Sequence, residues 1–252
     1  MTKTCSELFQ GMDCTIIGNG NEEVAGLAFR SDEVAPGDMF FCIVGTVVDG
    51  HSFAQDAIDR GATSLVAERK VYLADATDVT EVVVSDSRKA MAYASANYYD
   101  NPSRAFSLVG ITGTNGKTTT TYLVEHIASV AGNRCGVIGT VGNKIAGVME
   151  HAERTTPESP DLQKLFARMR DAGCTVVAME VSSHALDLRR TWDTDFAVTA
   201  FTNLTQDHLD YHHTFDDYFE AKALLFSKDY PARRVISIDC LLYTSPSPRD
   251  RG

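Results

Sequence analysis

From residue 105 onward, short and almost wholly apolar runs alternate with longer amphipathic ones. AFSLVGIT, CGVIGT, CTVVAMEV, FAVTAFTNL and ARRVISID read as strands. GKTTTTYLVEHIASVAG reads as a helix closed by Gly132, DLQKLFARMRDAG as a helix opened by Pro160, and FDDYFEAKALLF as a third helix. Strands this apolar, joined by crossover helices, predict a mostly parallel sheet covered on both faces. Ligands of such sheets gather at the carboxyl ends of the strands, so chemistry is expected just after each strand.

The earlier segment has a different rhythm. VAGLAF (24–29) and DMFFCIVG (38–45) read as strands around the turn Pro36-Gly37-Asp38. A helix over SFAQDAIDRG stops at Gly61, SLVAE and EVVVSD are further strands, and Asp86 or Ser87 caps a helix over SRKAMAYASANYY. Asn101-Pro102-Ser103 marks a boundary. The fold class is therefore α/β: a small N-terminal α/β domain over 1–103, then a P-loop-type domain with a mostly parallel sheet over 104–239. Residues 240–252, rich in Ser, Pro and Arg, follow the last strand without a turn and are expected to be a non-native or disordered tail.

Composition narrows the function. With 252 residues, 44% hydrophobic and 23% charged, the chain has the balance of a soluble globular protein. A formal net charge of −11 disfavours wrapping a nucleic acid, yet leaves room for one phosphorylated small molecule held by a loop and a metal. The six cysteines form no CxxC pair and read as buried free thiols. No signal peptide opens the chain and no apolar run reaches a membrane span, so a cytoplasmic location is expected.

Candidate chemistry falls in four places. In VGITGTNGKTTT the glycines of the strand-to-helix turn let backbone N–H groups close on phosphate oxygens at a helix N-terminus. Lys117 would meet the β- and γ-phosphates and the Thr118 hydroxyl a Mg²⁺. Ile111 stands where the common P-loop has its first glycine. Glu180, at the end of the strand-like run TVVAMEV, offers a carboxylate across the sheet edge. In NLTQDHLDYHH, His208 and His212 have the i,i+4 spacing of a zinc pair, but no further ligand is evident, and a magnesium-linked role for one histidine or aspartate fits better. Lys222, in YFEAKALLF, read alone is a lysine on an amphipathic helix.

GTNGKTTT, TTPES, MEVSSHAL, TNLTQDHLDYH and EAKALLFS, in this order and spacing, closely resemble the Mur ligase family, and within it the UDP-N-acetylmuramoyl-tripeptide synthetase type. RSDEVAPGDMFFCIVGTVVDGHSF resembles that family's uridine-nucleotide-binding domain, so the likeness covers roughly residues 24–238. The family's loop is a shortened GTNGKT form, which accounts for Ile111.

The resemblance implies an ATP-dependent amide ligase of bacterial peptidoglycan synthesis. ATP phosphorylates the free carboxylate of UDP-MurNAc-L-Ala-D-Glu, and the amine of diaminopimelate or lysine attacks the acyl phosphate. It implies ATP binding by Gly113, Thr114, Asn115, Gly116, Lys117, Thr118 and Thr119. It also implies one Mg²⁺ on Thr118 and Glu180 and a second on His208 and a CO₂-derived carbamate of Lys222. The muramoyl-peptide would contact Thr155, Thr156, Ser182 and Arg190, and the uridine end Ser31, Thr46, Val47 and Val48. Asp32, Arg154 and Leu188 depart from the residues many relatives carry, which bears on the substrate contacts more than on the ATP site. The family's third domain, which selects the amino acid, is not recognisable here; the central domain reads as incomplete, and the chain is expected to bind nucleotide without turnover. A folylpolyglutamate-synthetase-like ligase shares a similar loop and lysine but ordinarily begins with its ATP domain; a non-catalytic nucleotide-binding fragment is the remaining alternative.

Overall fold

A computed structural model of the chain describes residues 2–45, 48–74, 78–207 and 209–237. The chain divides into two compact units between Asn101 and Pro102.

In the first unit, β1 (Lys3–Thr4) pairs with β3 (Glu23–Val24), and α1 (Cys5–Leu8) begins at a capping box between Thr4 and Glu7. The larger sheet has the order β2 (Thr15–Ile17), β7 (Thr80–Val83), β6 (Ser64–Ala67), β5 (Met39–Phe41), β4 (Leu27–Ala28), parallel except at β2. All three residues of β5 are buried because helices cover both faces. Phe40 and Leu65 pack with Ala54 and Ala57 of α2 (Ala54–Asp59). Met39, Phe41, Val66 and Val82 pack with Ala90, Met91 and Ala94 of α3 (Ser87–Tyr98). Asp86 caps α3 by accepting from the Arg88 and Lys89 N–H groups.

Two runs read as single strands are broken. VAGLAF divides at Ala25-Gly26, where the backbone bonds to Gly37 and Met39, sending β3 and β4 to different sheets. DMFFCIVG pairs in the sheet from Met39 to Phe41, with a last bond from the Cys42 N–H to Val66 O, and Ile43 then accepts from the Gly50 N–H in a reversing loop. The helix expected from Ser52 starts as a 3₁₀ turn and becomes α-helical at Ala54.

The second unit holds a seven-stranded sheet built from β8 (Ser107–Thr112), β9 (Cys135–Gly139), β10 (Gly142–Ile145), β11 (Val148–Glu150), β12 (Val176–Glu180), β13 (Val198–Phe201) and β14 (Arg233–Ile236). Its order is β11-β10-β9-β12-β8-β13-β14. The five strands expected from the apolar runs are parallel, with β8 central. The antiparallel hairpin β10–β11 was not expected. Its turn places Ala146 and Gly147 at φ 48° and 95°, a mirror-image turn carried by the unremarkable stretch NKIAGVM.

The helices are α4 (Lys117–Val130), α5 (Ser159–Asp171), α6 (Ser183–Asp187), α7 (Leu209–His212) and α8 (Phe215–Ala223). Leu162, Phe166 and Met169 of α5 pack with Leu108, Ile138, Val177 and Met179 of the sheet. At roughly 1.5–3 kcal/mol for each large apolar side chain buried, this cluster dominates the unit's stability. Coverage is less complete than the apolar strands imply. All four residues of β14 are exposed, as befits a strand that among the described residues pairs only with β13. Helix α4 buries only Thr121 fully and leaves Leu123, Ile127 and Val130 exposed.

Cys5, Cys42, Cys135 and Cys174 are buried free thiols and Cys14 is half-buried; Cys240 and the expected tail lie outside the described residues. No described helix is long and apolar enough to cross a membrane.

Candidate phosphate-binding site

Strand register assembles the site. Glu180 of β12 pairs with Ile111 of β8, and Phe201 of β13 pairs with Thr112, so three strands end level with one another. The chain then leaves them as three adjacent loops: 113–116, 181–182 and 202–207. The first is held by the third. Asn203 O accepts from the Thr114 N–H at 2.9 Å, its side-chain oxygen accepts from the Asn115 N–H at 3.0 Å, and the Thr202 hydroxyl donates to Asn115 O at 2.7 Å.

Gly113 has φ 139°, a region open to glycine, and a β-carbon there would collide with the Thr202 side chain and the Asn203 carbonyl. Gly116 caps α4 in the left-handed region and offers no side chain to the first-turn N–H groups. A fourteen-residue helix without a side-chain cap presents those donors and its positive end to an anion.

A cavity of about 310 Å³ lies against this turn, lined by Thr114, Asn115, Gly116, Lys117, Thr118, Thr140, Thr155, Glu180, Ser182, Ser183 and Lys222. Lys117 folds back so that its ammonium donates to the carbonyls of Gly113 and Thr114, both at 2.8 Å. Burial pulls its pKa down, partly offset by the carboxylates of Glu180 and Asp207. Glu180 is 1% exposed. Its Oε1 accepts from the Thr118 hydroxyl at 2.9 Å and the Thr140 N–H at 3.0 Å, and its Oε2 from the Thr140 hydroxyl at 3.2 Å. Gly139 makes room for it, since a β-carbon there would press on the carboxyl group. Each of these hydrogen-bond donors is neutral, so the buried carboxylate fits a cation brought by a ligand.

Lys222 also reaches the turn. Its side chain is among the largest fully buried ones; Nζ donates to Gly113 O at 3.0 Å and lies 4.5 Å from the centre of the Tyr218 ring. Burial, reinforced by the nearby Lys117 charge, lowers its pKa to about 7. An amine near neutrality is an available nucleophile, which a surface lysine is not.

Of the other residues singled out in the sequence, Thr155, Thr156 and Ser182 converge beside Glu180. Thr156 donates to Glu180 O at 2.9 Å and accepts from the Ser182 N–H at 3.1 Å, while Thr155 bonds Thr140 at 2.9 Å. Arg190 does not line the cavity. It is 8% exposed, pairs with Glu158 at 2.8 Å and donates to Thr156 O at 3.1 Å, so it braces the TTPES loop from beneath. Thr119 is exposed on α4 and also absent from the lining. Ser31 and Val48 belong to the first unit; His208, Thr46 and Val47 lie outside the described residues. His212, the other member of the zinc-spaced pair, bonds Ser183 at 2.9 Å. No metal-type group of three or more His, Cys, Asp or Glu side chains forms among the described residues.

Sequence reasoning missed Thr140, Ser183 and Tyr218. Thr140 had a signal, since it follows the apolar run CGVIG at a strand's carboxyl end. Tyr218, one helical turn before Lys222, had none beyond that spacing.

The parallel sheet and the glycine turn define an α/β protein whose strand-to-helix turn is built to meet an anion. Comparison with known proteins narrows this. The family model described as "Mur ligase middle domain" matches residues 111–244, and that described as "Mur ligase family, catalytic domain" matches 23–111. The chain belongs to the Mur ligase family.

It is 50% identical over 209 residues to UDP-N-acetylmuramoyl-L-alanyl-D-glutamate–2,6-diaminopimelate ligase of Geobacillus thermodenitrificans, covering 83% of this chain and 42% of that protein. The enzyme of the same name from Clostridium botulinum is 44% identical over 233 residues, 92% of this chain and 48% of that protein. A solved structure of a ligase of that name superposes with a TM-score of 0.79 at 27% identity, covering 95% of this chain and 48% of the other. The chain thus spans about half the length of the curated relatives it matches.

Proposed function

We propose that this chain carries the nucleotide and sugar-peptide sites of an ATP-dependent amide ligase acting in the bacterial cytoplasm. The enzyme would join an amino acid to UDP-MurNAc-L-Ala-D-Glu through an acyl phosphate. The names of the relatives favour diaminopimelate over lysine as the amino acid. The observation that carries the reading is the convergence of Lys117, Thr118, Glu180 and Lys222 on one cavity at the carboxyl edge of a parallel sheet.

Phosphorylating a carboxylate brings two anions together, so the site must offset charge and fix geometry. Residues 113–119 would cradle ATP, with the Lys117 ammonium leaving the Gly113 and Thr114 carbonyls for phosphate oxygens. Thr118 and Glu180 would hold one Mg²⁺, completed by phosphate and water oxygens as is usual for this ion. His208 and a carbamylated Lys222 would hold a second. These ions, when bound, neutralise charge on the transferring phosphoryl group. The lowered pKa of Lys222 supports carbamylation, because only the neutral amine adds to CO₂. Thr155, Thr156 and Ser182 would face the muramoyl-peptide and Arg190 would hold their loop; Ser31, Thr46, Val47 and Val48 would serve the uridine end.

The test is titration of the chain with Mg-ATP and with UDP-MurNAc-L-Ala-D-Glu. Both are expected to bind, a folate is not, and Lys117→Ala should weaken ATP roughly tenfold to a hundredfold while sparing the sugar nucleotide. Unchanged ATP affinity in Lys117→Ala, or no binding of the sugar nucleotide, refutes the proposal.

A further inference from the structure

His212 is used by none of the chemistry above, yet it is among the more deeply placed polar side chains near the cavity. It is 6% exposed, and its Nε2 lies 2.9 Å from the Ser183 hydroxyl. Its ring lies 4.7 Å from that of Tyr211, 5.3 Å from that of Tyr218 and 5.4 Å from that of His184. Tyr218 in turn bonds Thr114 of the glycine turn at 3.2 Å and underlies Lys222. Ser183 is 1% exposed and lines the same cavity as Lys117 and Thr118. A hydroxyl offers one proton and two acceptor sites. When the imidazole Nε2–H donates to Ser183 Oγ, the serine proton is released from the protein interior and can be donated into the cavity.

We propose that Ser183 is a further ligand for the terminal phosphoryl group of the nucleotide, and that His212 is the positioning residue that orients it. This rests on the reading of the cavity as an ATP site and adds one further donor to its lining. A hydroxyl so held meets an anionic oxygen without the cost of being oriented at that moment. The ligand is distinguished from the acceptor carboxylate of the sugar-peptide by which of the two affinities responds.

The experiment is calorimetric titration of the 252-residue chain, with Mg²⁺, against the β,γ-methylene analogue of ATP, ADP and UDP-MurNAc-L-Ala-D-Glu. Ser183→Ala is expected to weaken the analogue about tenfold, the scale of a hydrogen bond to a charged group, and ADP less than about twofold. Ser183→Thr, which keeps the hydroxyl, should stay near the unmutated affinity. His212→Leu should match Ser183→Ala, His212→Gln should restore most of the loss, and the double variant Ser183→Ala/His212→Leu should lose no more than either alone. Equal weakening of analogue and ADP, no weakening of either, additive losses, or a loss confined to the sugar-peptide each overturns the proposal. If His212→Leu does not fold, the Ser183 pair decides it alone. Failure of the unmutated chain to bind nucleotide overturns the underlying function as well, whereas normal binding with a silent Ser183→Ala overturns only this inference.

Discussion

Replacing Glu180 by glutamine separates a metal-holding carboxylate from a merely structural one. Three hydrogen bonds converge on the carboxylate, two on Oε1 and one on Oε2. In Glu180→Gln the amide oxygen can occupy the Oε1 position and keep the donations from Thr118 and the Thr140 N–H. The new NH₂ would donate to the Thr140 hydroxyl, which can turn and donate to Thr155, already its partner at 2.9 Å. The network therefore survives with one buried charge removed, and without ligand the variant should match or exceed the parent stability by about 1 kcal/mol. Glu180→Ala strands those donors instead and should cost roughly 2–4 kcal/mol.

With ligand the order reverses. A nucleotide at a hundred times its Kd stabilises by about 2.7 kcal/mol, which raises Tm by roughly 5–10 °C for a chain of this size. That increment should appear in the unmutated protein with Mg-ATP and largely vanish in Glu180→Gln. Thermal unfolding with and without Mg-ATP and EDTA reads both effects. A destabilised Glu180→Gln without ligand, or a full Mg-ATP shift in that variant, would refute the reasoning.

Two other outcomes follow from the same geometry. The Lys222 pKa is held near 7, below its unfolded value of 10.5, so both states are protonated below pH 7 and the buried ammonium exerts its full cost. As pH rises from 7 toward 10.5 the native state sheds its proton while the unfolded state keeps it, and stability rises. Lys222→Met, in CO₂-free buffer, should therefore gain most over the parent at pH 6, with the gain shrinking by up to about 2–3 kcal/mol at pH 9; urea unfolding showing the same difference at both pH values contradicts this. Gly113→Ala should cost about 2–4 kcal/mol in urea unfolding, from the φ of 139° and from a β-carbon 2.9 Å from the Asn203 carbonyl; a neutral substitution contradicts the turn geometry.

Local patterns determined a good deal. The five apolar runs of the second unit became its parallel strands; those inside the sheet are apolar because both faces are covered, whereas β14 at its end is exposed. The glycine turn was legible as GTNGKT, since backbone conformation and helix N-terminus are both set within eight residues. The cap of α3 was equally local, falling to Asp86 of the two residues, Asp86 and Ser87, that the sequence offered. Other features depended on which strands neighbour which. Register alone brings Glu180, Thr140 and Thr118 together from positions up to 62 residues apart. Burial turns Lys222 from a helix lysine into an amine with a pKa near 7, and no residue beside it in sequence signals that. Arg190, read as a substrate contact, is engaged by Glu158, and His212 meets Ser183 from 29 residues away. Charge, burial and hydrogen-bond partnership are properties of a place in the fold. Periodicity predicts the elements that make such places, and packing decides which side chains occupy them.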